Sequence, residues 1–266
     1  MLAACCAAAA FCPPLSLREQ SKAILEQALT DNNPNVRKQA VIALSLTASR
    51  EPFLTQLESK VRDKDVEVRI AAVASLVDLK SKLTLPALHD ALLDQVPEVS
   101  FAAAKALFEL HDQAGERALL SVLSGESKTS SGFFSKQMRE TLRMMHTPRT
   151  LFVFALRQGI GLAPIPGVGE GVASLEALLS DPGVSGRAAA ALLLGSRREQ
   201  RNLMALRDAL SDKDWSVRAA AIHALVLWND PALKPEIARR LEDDSQPVRL
   251  RAAAGYLRLD SIRARH

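Results

Sequence analysis

The chain has 266 residues, of which 48% are hydrophobic but only 4% aromatic, so its core is built from Ala, Leu and Val, as where helices lie close together. Net charge is +4, with −2 over residues 1–133 (14 basic, 16 acidic) and +6 over 134–266 (20 basic, 14 acidic), a mild excess that accommodates an anionic partner without requiring one. Cys5, Cys6 and Cys12 are the three cysteines, which excludes a disulfide framework and a Cys-based zinc site from residues 13–266.

The opening stretch "MLAACCAAAAFCPPLSL" is uncharged, apolar and ended by Pro13-Pro14. It resembles the apolar core of a secretory signal, with Ala8 and Ala10 placed for cleavage before Phe11, though it lacks a basic start. "LAAC" also resembles a lipobox with Cys5 as the modified residue. Residues 1–20 are therefore expected to be a signal-like, lipoprotein-like or disordered segment, and export is the favoured reading over a plain Ala-rich tail. Without a signal the location would be cytoplasmic.

From there the chain repeats itself. "DKDVEVRIAAVASL" (63–76) and "DKDWSVRAAAIHAL" (212–225) agree at eight of fourteen positions. The same frame recurs on six anchors: Val36, Val68, Val99, Gly186, Val217 and Val248. Five residues before each stands an Asp: Asp31, Asp63, Asp94, Asp181, Asp212 and Asp243. Four residues after each stands an Ala: Ala40, Ala72, Ala103, Ala190, Ala221 and Ala252. Large apolar residues at −11 and −7, such as Leu25 and Leu29, are four apart and form one stripe of a first helix. Pro34, Pro97 and Pro247 mark the start of a second helix, because proline is tolerated in a first turn. The anchor, the Ala at +4 and residues +7 and +8 form its buried stripe. Small Ala lets the paired helices approach closely.

An Arg follows the anchor in five copies, Arg37, Arg69, Arg187, Arg218 and Arg249, and Ser100 breaks the column. An Asp/Arg column present in every unit is expected to be structural: the Asp accepts backbone N–H groups, and the Arg reaches it or the Asp of the next repeat.

The pattern D-x-x-x-x-V-R-x-x-A-x-x-A-L resembles the HEAT-like repeat, in the short form seen in phycobilin-lyase-type repeats. The resemblance implies an all-α fold: an α-solenoid of helix pairs with one convex and one concave row. A degenerate fourth repeat fits, with Leu119 and Leu123 on its first helix and residues 134–145 as its second. The expected organisation is repeats 1–4 over residues 21–146, an insertion at 147–170, repeats 5–7 over 171–260 and a basic tail at 261–266.

The helical pattern stops in "LAPIPGVGEGVAS" (162–174), which runs from the insertion into the start of repeat 5. No strand pattern precedes "GVGEG", so it does not match a dinucleotide loop, and "GESKT" (125–129) lacks the glycines of a P-loop. "LFVFAL" is too short and too interrupted to span a bilayer, although shallow membrane contact stays open. Phe133, Phe134, Phe152 and Phe154 are half of the eight phenylalanines. The insertion is expected either to cover a repeat face or to dock a partner.

No chemistry stands out. The five histidines include no His-Glu pair, which the HEAT-repeat deoxyhypusine hydroxylases use for iron; no G-x-S-x-G occurs. His89 and His111 are expected at helix ends, and His223 on the concave side. The Ala-rich second helices carry few cations beyond the column, a poor footprint for nucleic acid. The expectation is a non-enzymatic scaffold that binds another protein and needs no cofactor or metal. Its expected anchors are Phe101, Phe108, Phe152, Phe154 and Trp228. A bilin-lyase-type enzyme and a nucleic-acid binder are the alternatives.

Overall fold

The computed structural model describes residues 15–47, 51–124 and 185–262. The apolar start, the second helix of repeat 4, the insertion with Phe152 and Phe154, Asp181 and the end of the basic tail lie outside the described residues.

The described elements are helices and 3-10 turns, taken in pairs. Repeat 1 is α1 (Leu17–Leu29) and α2 (Pro34–Leu44); repeat 2 is α3 (Phe53–Ser59) and α4 (Val66–Asp78). Repeat 3 is α5 (Leu85–Leu92) and α6 (Pro97–Glu109), and α7 (Gln113–Ser124) is the first helix of repeat 4. Helix α8 (Gly186–Gly195) is the second helix of repeat 5. Repeat 6 is α9 (Gln200–Ala209) and α10 (Trp215–Leu227); repeat 7 is α11 (Lys234–Ala238) and α12 (Gln246–Asp260).

Local chemistry sets these boundaries. α1 opens on a capping box, in which the Ser16 hydroxyl accepts the Glu19 N–H and the Glu19 carboxylate accepts the Ser16 N–H. Three of the described second helices, α2, α4 and α10, start by two chained Asx turns. The column Asp accepts the N–H two residues on, as Asp63 does from Asp65 and Asp212 from Asp214, both at 2.9 Å. That next residue then caps the helix: Asn33 accepts from Asn35, Asp65 from Glu67, Asp214 from Ser216. Pro34 and Pro97 occupy the first helical position, where no donor is needed.

Three second helices end alike. Lys80, His111 and Asn229, each twelve residues after its anchor, have φ of 45°, 59° and 54°. This left-handed conformation suits Gly best and Asn next, and is costly for Lys. Lys80→Gly is therefore expected to stabilise the protein by up to about 1 kcal/mol, read as a higher urea midpoint at unchanged slope. A lower midpoint would show that the Lys80 side chain has a packing role.

The apolar columns meet in one core. Leu25, Leu57, Leu88, Leu206 and Ile237 from the first helices are buried with Ala40, Ala72, Ala103, Ala221 and Ala252 from the second. Glycine tightens this packing further: a Cβ on Gly115 of α7 would lie 2.3 Å from the Phe108 backbone nitrogen, so only glycine lets α7 sit this close to α6.

The order of stacking is not the order of the chain. Second helices pack in the row α8, α10, α12, α2, α4, α6. Helix α12 of repeat 7 lies against both α1 and α2 of repeat 1. The solenoid thus runs through repeats 5, 6, 7, 1, 2 and 3, with the two sequence blocks joined at what the chain treats as its ends.

Candidate functional site

The Asp/Arg column ties repeat 1 to 2, 2 to 3, 5 to 6 and 6 to 7. The Arg37 guanidinium donates to both oxygens of Asp63 at 2.9 and 2.8 Å, and to the carbonyls of Asp31 and Asn32. Arg69 meets Asp94 (2.7 Å), Arg187 meets Asp212, and Arg218 meets Asp243 (2.7 Å). One arm of each of Arg37, Arg69 and Arg218 closes the turn of its own repeat; the rest of the guanidinium holds the carboxylate of the following one. Burial alone would raise the Asp63 and Asp243 carboxyls, but the guanidinium bond, the backbone N–H bond from Asp65 or Ser245 and the charge of the Arg together outweigh it and hold both below the usual range. The same bonds raise Arg37 and Arg218. Where Ser100 replaces the Arg, its hydroxyl donates to Leu92 O within repeat 3, and His89 meets Asp112 at 3.2 Å instead. Among the described residues the column thus holds the turns before the second helices and links them to the following repeat.

The described anchor residues divide. Phe101 is half-buried on α6 and Phe108, seven residues on, is 51% exposed. Leu120 on the adjoining α7 is 55% exposed. Trp228 is half-buried at the end of α10, and its indole N–H donates to the Gly195 carbonyl at 2.6 Å. Its polar atom is spent on the joint between repeats 5 and 6. At the other end of the row Leu193, Leu194 and Met204 are exposed on α8 and α9. Leu15, Leu17, Leu83 and Leu93 are exposed as well, in repeats 1 and 3.

The least expected constellation lies in the middle of the row. Arg251 of α12 is fully buried and donates to Gln39 of α2 at 3.1 Å and to the Pro247 carbonyl. Arg258 donates to Leu46 O of repeat 1 and to the Asn229 side chain. His223 on α10 is 3% exposed, and neither ring nitrogen has a hydrogen-bond partner. Burial, followed by repulsion from Arg251 and Arg258, pushes its pKa down to about 3, so the imidazole is neutral at pH 7. A sequence signal for this joint exists at +3 from the anchor. That column is Ala at 71, 102, 189 and 220, and polar only at Gln39 and Arg251, the two residues that bond. His89 and His111 are exposed.

Among the described residues no three His, Cys, Asp or Glu side chains are grouped to hold a metal ion. No described helix is long and apolar enough to cross a membrane.

A family model of HEAT repeats matches residues 51–128 and 172–258. None of the curated proteins matches the chain in sequence. Among solved structures, human deoxyhypusine hydroxylase is similar at 17% identity and a TM-score of 0.34, over 92% of this chain and 97% of that one. The complex of CpcE and CpcF of phycocyanin lyase from Nostoc sp. PCC7120 is similar at 17% identity and a TM-score of 0.34, over 94% and 97%.

Proposed function

We propose that this chain, which belongs to the HEAT-repeat family, is a scaffold that binds another protein rather than an enzyme. The observation that carries this reading is Phe108, 51% exposed on a helix that is otherwise locked into the row, with Leu120 exposed on the next helix. A rigid aromatic costs little ordering entropy on binding, and burying such a side chain is worth about 1.5–3 kcal/mol. The insertion at 147–170, with Phe152 and Phe154, is the second part of the proposed docking surface. On the same reading the Ala/Cys-rich start serves export, and mass spectrometry of the mature N-terminus distinguishes a cut chain from an intact one.

A photo-crosslinking residue at position 108, in the native host, is expected to capture one protein that a probe at exposed Glu116 does not. Phe108→Ser is then expected to weaken binding of that protein at least about tenfold, while stability changes by less than about 0.5 kcal/mol. Deleting residues 148–170 is expected to keep the helical circular dichroism and lose capture. Equal capture at positions 108 and 116, or a deletion variant that is unfolded, defeats the docking surface. A captured protein that leaves chemically altered would replace the scaffold by the lyase reading.

A further inference from the structure

The ladder has an open rung at the joint between repeats 7 and 1. Arg37, Arg69 and Arg218 share one posture. Nη1 donates to the carbonyls of the residue's own turn, and the Nε–Nη2 edge meets the carboxylate of the next column Asp. Arg249 holds the first half of that posture. Its Nη1 donates to the Asp243 and Asp244 carbonyls at 2.6 and 3.0 Å, as Arg218 does to those of Asp212 and Lys213. The second half is not made within the chain. Asp31, the column Asp of the repeat stacked next, accepts the Asn33 N–H at 2.8 Å and forms no ion pair among the described residues.

The packing explains the difference. Helix α12 lies along α1 as well as α2, whereas α2, α4 and α10 touch the first helix of the next repeat only lightly. Bonds that cross this joint include Arg251 to Gln39 and Arg258 to Leu46 O. Arg249 itself is half-buried, and neither its Nε nor its Nη2 is shut off from solvent. The acids of its own turn are engaged elsewhere, since Asp243 and Asp244 both bond Arg218.

We infer that the Nε–Nη2 edge of Arg249 is a binding site for an external carboxylate, which completes the rung that Asp31 does not. The chain itself displays the fit: Arg37, Arg69 and Arg218 take a carboxylate on the same edge, with Nη1 held in the same way. Two parallel N–H···O bonds match a planar carboxylate better than a point charge does. The two carbonyl bonds fix the guanidinium beforehand, so less side-chain freedom is lost on binding than at an arginine without them. A small carboxylic acid and an Asp or Glu side chain of another protein present the same group to this edge. The site lies in the middle of the row and does not depend on the Phe108 surface.

The test follows the arginine Nε–H and backbone amide resonances of the full chain at pH 6 as sodium acetate is added, against sodium chloride at equal ionic strength. Arg117, exposed and without a bonded carbonyl, is the internal control. Acetate is expected to saturate Arg249 at a concentration at least about fivefold below that for Arg117. Arg249→Lys keeps the charge but loses the fork, and is expected to abolish the acetate-dependent shifts of the Asp244 and Ser245 amides. A capped tripeptide with a central Glu separates the sources: tighter binding than acetate assigns the site to a protein side chain, weaker binding to a small acid. Equal saturation at Arg249 and Arg117, the same shifts with chloride, or amide shifts that persist in Arg249→Lys would overturn the site. So would an Arg249 resonance that moves in Asp31→Asn before any acetate is added, because Asp31 would then already fill the edge.

Discussion

Arg218→Ala is expected to destabilise the protein by about 3–5 kcal/mol, measured as a fall in the urea unfolding free energy. The guanidinium bonds Asp243 at 2.9 and 2.7 Å and Asp244 at 2.5 Å, and also donates to the carbonyls of Asp212 and Lys213. The side chains of Arg218 and Asp243 are 10% and 4% exposed. Truncating the Arg leaves a buried carboxylate whose remaining bond is the Ser245 N–H, and solvent cannot repay the difference. The same column supplies the control. Arg187 makes the equivalent bond to Asp212, but its side chain is 61% exposed, so Arg187→Ala is expected to lower the urea midpoint far less than Arg218→Ala does. Exchanging both partners, as Arg218→Met with Asp243→Leu, is expected to recover most of the loss, because two apolar groups leave nothing unpaired. Equal costs for Arg218→Ala and Arg187→Ala would show that the ladder acts through something other than buried charge.

The second large effect is on acid stability. The His223 pKa is about 3 in the folded protein, below its ordinary 6.5, so folding favours the neutral imidazole. That contribution is fully present above pH 6.5. It falls as pH drops from 6.5 toward 3, because the unfolded chain then binds a proton that the folded protein refuses. The loss is about 1.4 kcal/mol per pH unit, or about 2 kcal/mol by pH 5. His223→Leu removes the titrating group and two orphaned nitrogens, so it is expected to be at least as stable as the wild type at pH 7.5. Subtracting its pH–stability curve from the wild type's isolates the histidine from the carboxylates. Asp63 and Asp243 act lower: their pKa values lie below the ordinary 3.8, so their contribution is present above that value and lost as pH falls through the folded pKa. Parallel curves for the wild type and His223→Leu between pH 7 and 5 would mean that the imidazole is not held neutral.

Much of the fold is legible because a repeat must bury its face against a copy of itself. The apolar residues at −11 and −7, the Ala at +4 and the Asp/Arg column recur because each joint repeats one geometry. The cap was less legible. It is not the column Asp but the residue two later, such as Asn33, Asp65 or Asp214, and the "DNN" and "DKD" spacing carries that signal. For the candidate site, Phe108 could be placed on a helix but not on a surface. Trp228 could not be told from an anchor, because its bond to Gly195 lies 33 residues away in the chain.

The amino-acid sequence by itself determined the helix pairs, their boundaries and the rung that joins one repeat to the next, since these depend on residues within about one repeat length. Only the tertiary structure decided that repeat 7 stacks on repeat 1. That joint brings Gln39 and Arg251 together across 212 residues and uses no copy of the ladder, so no periodic signal announces it. The same contact decides the environment of His223. An imidazole's charge depends on which cations and how little water surround it, and the fold supplies both only when the two blocks meet.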